Sequence, residues 1–229
     1  YTMRFNEVQN NNLAFVFGRF NPPTAGHGKL LDKLASVNSN YKIYASQKQD
    51  KKSNPLPYDR KLTFLSMQFP KHTKGIVVDN SIKTIIDVMK SIQEQGIKNV
   101  TMVAGSDRVD AFQKLLNDYN GKEYKFDSIN VVSAGERDPD AEGTAGVSAS
   151  KARQAAMQGD YESFKKMISS TNEKLSKAMY DEVRQGMGVQ EEAAGVGIVT
   201  KQNATKDVPV GGEYMNVKKL HLNKKQKKK

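Results

Sequence analysis

A chain of 229 residues, 37% of them apolar, is long enough for one packed domain with extensions. It has no cysteine, which excludes a disulfide framework and a thiolate zinc site and fits a reducing, cytoplasmic setting. Net charge is +11, and no apolar run approaches the roughly 20 residues that a membrane-spanning helix needs.

In chain order, residues 1–11 read as a short arm without the apolar core of a secretory signal. The run Leu13-Ala14-Phe15-Val16-Phe17 is then a buried strand, and Leu30, Leu31, Leu34 and Val37 recur at helical spacing. Residues 41–45 give a second strand. Leu62, Leu65 and Phe69 mark a helix stopped by Pro70, and Ile76-Val77-Val78 gives a third strand. Ile82, Ile85, Ile86, Met89 and Ile92 form an amphipathic stripe ended by Gly96. A fourth strand at 100–104 is followed by Val109, Phe112, Leu115 and Leu116 on one helical face, and a fifth lies at 129–132.

Strands alternating with helical patterns imply βαβ units. The expected fold is therefore α/β: a Rossmann-like, doubly wound, five-stranded parallel sheet flanked by helices. Ligand would bind at the carboxyl ends of the strands, near a topological switch point. Helices follow at 151–158, 161–168 and 175–185, so the domain is set at 12–185. The remainder, 186–229, reads as an extended tail broken by glycines, with nine lysines against four acids. Its final lysine run suits nucleic acid or another polyanion through counterion release, or an assembly partner; the bland alternative is a solvated end.

The richest local signal follows the first strand: Gly18-Arg19-Phe20-Asn21-Pro22-Pro23-Thr24-Ala25-Gly26-His27. Gly18 lets backbone approach a ligand, and the prolines stiffen the loop. Gly26 and His27 open a helix whose unpaired N–H groups and dipole favour phosphate. Thr24 and His27, three apart, can face one anion, and an imidazole N–H could stabilise charge on a phosphate undergoing substitution.

This loop resembles the signature of the nucleotidyltransferase (cytidylyltransferase-like) superfamily, in its G-x-F-x-P-x-[HT]-x-G-H form. A second signature of that family, [IV]-S-x-[ST]-x-[IV]-[RK], is met by Val147-Ser148-Ala149-Ser150-Lys151-Ala152-Arg153, with Ala152 as a departure that weakens packing. Ser148 is a suitable N-cap, Ser150 supplies a hydroxyl, and Arg153 supplies a fork for phosphate oxygens. Gly105-Ser106-Asp107 resembles the family's G-x-D loop. Arg19 after Gly18, and Ser46-Gln47 followed by Asn54-Pro55-Leu56 and Arg60, are similar to nicotinamide-mononucleotide adenylyltransferases.

The resemblance implies attack by an acceptor phosphate on the α-phosphorus of ATP carried with Mg²⁺, without a protein nucleophile. It implies catalytic roles for His27, Thr24 and Arg153. It also implies nucleotide contacts from Gly18, Arg19, Phe20, Asn21, Gly26, Gly105, Asp107, Ser148 and Ser150, with Arg19 and Lys48 as candidates for the acceptor's phosphate. Transfer to a sugar or polyol phosphate by a cytidylyltransferase is an alternative. Another is a structural, virion-associated role anchored by the tail, since loop and arm together are similar to proteins of large tailed bacteriophages. Homo-oligomerisation stays open.

Overall fold

The computed structural model describes residues 11–135, 148–168 and 170–189. Its strands β1 (Asn12–Gly18), β2 (Tyr41–Ala45), β3 (Asn99–Ala104) and β4 (Ser128–Ser133) pair in parallel in the order β2-β1-β3-β4. Ala14 stands opposite Tyr41 on one side, and Leu13 opposite Val100 on the other. Leu13 to Val16 are all buried because successive side chains feed two cores on opposite faces of the sheet. Ala14 and Val16 pack with Leu31 and Leu34 of α1 (Ala25–Val37) and with Leu62 and Leu65 of α2 (Tyr58–Gln68). Leu13 and Phe15 pack with Val88, Met89 and Ile92 of α3 (Ile85–Glu94) and Leu116 of α4 (Val109–Tyr119).

The sheet has four strands rather than the five expected. Ile76 makes a single parallel bridge to Ile43, and the Val77 N–H reaches the Ile43 carbonyl at 2.9 Å. Further pairing stops because a side chain takes over the backbone groups. The Tyr58 hydroxyl contacts the Val77 carbonyl and accepts from the Asp79 N–H, each at 3.4 Å. The stripe beginning at Ile82 also starts its helix later, at Ile85, where Thr84 and Asp87 close a capping box.

Past β4 the chain builds a second packing unit on α5 (Ala149–Gln158), α6 (Tyr161–Ile168) and α7 (Glu173–Met187). Ala152, Ala155 and Ala156 are buried against Phe164, Met179 and Val183, and Leu56 and Phe64 join this core from the main domain. Ala152 is thus no loss of packing: its small side chain is what lets two helices close on α5. The last helix runs through Gly186 to Met187, past the boundary at 185. A Cβ at Gly186 would lie 2.2 Å from the Pro55 carbonyl oxygen, so only glycine lets α7 come this close. Expectations for residues 1–10 and for the tail beyond 189 lie outside the described residues.

Candidate active site

The strand order reverses between β1 and β3, which opens a crevice beyond their carboxyl ends. The loop after β1 enters it through Gly18, whose hypothetical Cβ would meet the Phe20 ring at 3.0 Å. The glycine makes room for an aromatic ring as much as for a ligand. Phe20 takes a left-handed φ of 46° and is wholly buried. The peptide between Asn21 and Pro22 is cis. Asn21 is also wholly buried, and its amide is engaged by Leu56 in both directions: Nδ2 donates to the Leu56 carbonyl and Oδ1 accepts its N–H, each at 3.0 Å. Its amide thus fixes the loop rather than reaching toward nucleotide.

Thr24 is the N-cap of α1, and His27 at the third position closes a capping box in the part usually taken by Glu or Gln. The Thr24 N–H donates to His27 Nδ1 at 3.0 Å, and Thr24 Oγ1 lies at the same distance. An Nδ1 that accepts a backbone N–H leaves the proton of the neutral ring on Nε2, so the tautomer suited to donating to phosphate is built into the cap. Phe20 packs against the imidazole with ring centroids 4.9 Å apart. Thr24, 1% exposed, turns its hydroxyl onto this ring instead of standing beside it before a shared anion, and Gly26 in the first turn lies outside the cleft lining.

On the opposite wall, Ser148 caps α5 by accepting the Lys151 N–H at 3.2 Å. The first turn of α5, with Ser148, Ala149 and Ser150, lines the cleft together with His27 and Arg19. Arg153, 9% exposed, joins the two signatures: Nη1 donates to the Asn21 carbonyl at 2.7 Å and Nη2 to Ser150 Oγ at 3.2 Å. Burial, then the charge of Arg19, pushes its guanidinium below the ordinary value, and Asp50 acts in the other direction.

Gly105, Asp107 and Arg108 complete the rim beyond β3, with Phe112 and Leu30 as apolar wall. Asp107 folds over Gly105, where a Cβ would meet its Oδ1 at 2.7 Å, and pairs loosely with Arg108 at 3.7 Å. The cleft encloses about 780 Å³ of empty space, part of it open solvent. Among the described residues Asp107 is the one carboxylate in its lining, and no group of three His, Asp or Glu could hold a metal ion.

Residues of the Ser46-Gln47…Asn54-Pro55…Arg60 segment are engaged in contacts within the fold. Gln47 donates to the carbonyls of Asp79 and Ile82, bracing a loop. Lys48 is exposed and outside the cleft lining. Arg60 is held by Glu182 of α7 through a forked ion pair and lies outside the cleft lining. Its neighbour Lys61 turns the other way and is wholly buried, donating from Nζ to the Ser46 carbonyl at 2.5 Å. Burial, with Arg19 nearby, pulls the Lys61 ammonium down to about 8. Sequence reasoning passed over this lysine, though a lone basic residue on the apolar side of Leu62 and Leu65 is the signal that marks it.

The comparisons fit this geometry. Solved structures share the fold, two of them adenylyltransferases by name. One is a Vibrio parahaemolyticus protein named as a nicotinate-nucleotide adenylyltransferase (16% identity, TM-score 0.50, 73% of this chain and 97% of that chain). The other is the Plasmodium falciparum nicotinic acid mononucleotide adenylyltransferase complexed with NaAD (16% identity, TM-score 0.51, 76% and 95%). The comparison with curated proteins gives no match. Residues 15–155, which carry both signatures and strands β2 to β4 with most of β1, match the family model described as cytidylyltransferase-like, and the chain belongs to that family.

Proposed function

We propose that this protein is an adenylyltransferase that joins ATP to the phosphate of a mononucleotide acceptor such as nicotinate or nicotinamide mononucleotide. The observation that carries the reading is the Arg153–Asn21 hydrogen bond, which closes the two signature segments around one cationic cleft. An oxygen of the acceptor's phosphate attacks the α-phosphorus, the bond from that phosphorus to the α–β bridging oxygen breaks, and pyrophosphate leaves with the electron pair. The reaction needs positioning and charge stabilisation, and no protein nucleophile.

His27 donates from Nε2 to the α- and β-phosphates, with Thr24 acting behind it to hold the ring. The first turn of α5, Ser150 and Arg153 take the β- and γ-phosphates through N–H groups, a hydroxyl and a guanidinium. Among the described residues Asp107 is the one carboxylate in the lining, and Mg²⁺ would suit this cleft as part of the triphosphate substrate, supplying charge neutralisation to its phosphates.

The test is pyrophosphate release from four nucleoside triphosphates crossed with a panel of phosphorylated acceptors. ATP with a pyridine mononucleotide is expected to lead. The family match favours one second reading, cytidylyl transfer to a polyol or sugar phosphate, and a lead by CTP would select it. No release from any pair would overturn both.

A further inference from the structure

The sheet ends at β4, and among the described residues no strand pairs with its outer side. Its sequence, Ser128-Ile129-Asn130-Val131-Val132-Ser133, carries no charge and no proline, the devices that usually keep an edge from pairing. The opposite edge is better defended: β2 holds Lys42, and the Val77 N–H already occupies the Ile43 carbonyl. On β4 the defence is one side chain of α4. Gln113 Nε2 donates to the Ile129 carbonyl at 3.0 Å, and the Val131 N–H donates to Gln113 Oε1 at 2.8 Å.

These two contacts reproduce a parallel ladder. On the inner side of β4, Ala104 stands opposite Ser133, and its carbonyl accepts the N–H of the next residue, Ala134, at 2.8 Å. From the outer side the Gln113 carboxamide takes the N–H that follows Asn130 and the carbonyl that precedes it, as a strand residue opposite Asn130 would. Gln113 also interrupts the apolar stripe of Val109, Phe112, Leu115 and Leu116, where a leucine would pack without leaving an amide to be satisfied. Helix packing alone does not call for glutamine. We propose that Gln113 is a surrogate strand that closes the β4 edge, and that without it this edge pairs with the β4 edge of a second copy. Two identical edges are complementary when they run antiparallel about a two-fold axis. Ile129, Val131 and Val132 are the β-branched residues that such pairing favours. This guard is independent of the reaction in the cleft.

The test compares the full chain with Gln113→Met, which keeps the length and loses both hydrogen bonds, and with Gln113→Asn, which is too short to hold both. Sedimentation equilibrium reads mass at equal protein concentration, and far-UV circular dichroism with thermal melting reads folding. Both variants are expected to keep native secondary structure and to raise the weight-average mass about twofold or more over wild type. Asn130 is exposed, so Asn130→Lys added to Gln113→Met places like charges in the joint and should return the mass to the wild-type value. An unchanged mass in a folded variant would overturn the guard. So would association that persists with Asn130→Lys, or that appears only with loss of the native circular dichroism, since both mark general unfolding instead of edge pairing.

Discussion

Arg153 Nη1 donates to the carbonyl of Asn21 at 2.7 Å, across 132 residues of sequence. The same guanidinium holds Ser150 Oγ, so one planar group joins the anion loop to the capped start of α5. An ammonium is a point donor and cannot fork in this way. Arg153→Lys is expected to weaken the α,β-methylene analogue of ATP by about tenfold or more, as a lost charge-assisted fork does. Arg153→Met should also destabilise the fold by about 1–3 kcal/mol, because the Asn21 carbonyl loses its donor. Calorimetry and urea unfolding read the two effects separately, and unchanged affinity in both variants would remove Arg153 from triphosphate binding.

For His27 the cap and the chemistry can be pulled apart. Glutamine at this position keeps an acceptor for the Thr24 N–H but loses the imidazole donor. His27→Gln should therefore stay within about 0.5 kcal/mol of wild-type stability, the scale of a well-tolerated change. Its rate of pyrophosphate release should fall by about 10²-fold, as for a lost donor to a charged transition state. Full activity in this variant would leave His27 as a helix cap and nothing more.

Gly186 predicts a penalty where helix propensity alone predicts a gain. Alanine is favoured over glycine in a helix interior by about 1 kcal/mol. Here its Cβ would fall 2.2 Å from the Pro55 carbonyl oxygen, and overpacking of this kind costs about 1–3 kcal/mol. Gly186→Ala is expected to be destabilised in urea unfolding, and a more stable variant would mean that the loop before α2 yields freely.

Lys61 gives the apoprotein an alkaline signature. Burial first, then Arg19, lowers its folded-state value to about 8, against about 10.4 for an unfolded lysine. Between these values the unfolded chain binds more protons, so the contribution of Lys61 to stability rises with pH and levels off above the unfolded value. Tyr44 and Tyr124, pushed up to about 12 chiefly by burial, act in the opposite sense once pH exceeds about 10. Wild type measured against Lys61→Met isolates the lysine. Their stability difference should shift in favour of wild type from pH 7.5 to 10, and a flat difference would mean that Lys61 is not desolvated.

Much of this fold follows from local pattern. Leu13 to Val16, Met102 to Ala104, and Ile85, Val88, Met89 and Ile92 of α3 are buried as their patterns imply, while on α4 Leu116 is buried and Val109, Phe112 and Leu115 are partly so. Ser148 caps α5 as its position before a helical run implies. What local pattern could not carry is competition between distant groups. Ile76–Val78 has the composition of a strand, but a tyrosine from α2 contests its backbone. Arg60 and Lys61 look alike on paper. Adjacent residues on a helix diverge by about 100°, which puts Lys61 on the buried side with Phe64 and Leu65, and the arrival of α7 with Glu182 shows where the arginine is drawn. Thr24 likewise has the chemistry of a phosphate ligand, and its hydroxyl goes to the imidazole three residues on.

The supports of the loop after β1 come from two later points in the chain. The Leu56 backbone holds Asn21 by its side chain, and Arg153 holds it by its carbonyl. A nascent chain that has not yet extruded α5 has the histidine and the cap, but lacks the hand that closes the grip. The loop after β1 is therefore gripped from both sides only once α5 has been added. A substrate seated in the cleft would in turn fasten the early half of the polypeptide to the late half and slow the opening of both.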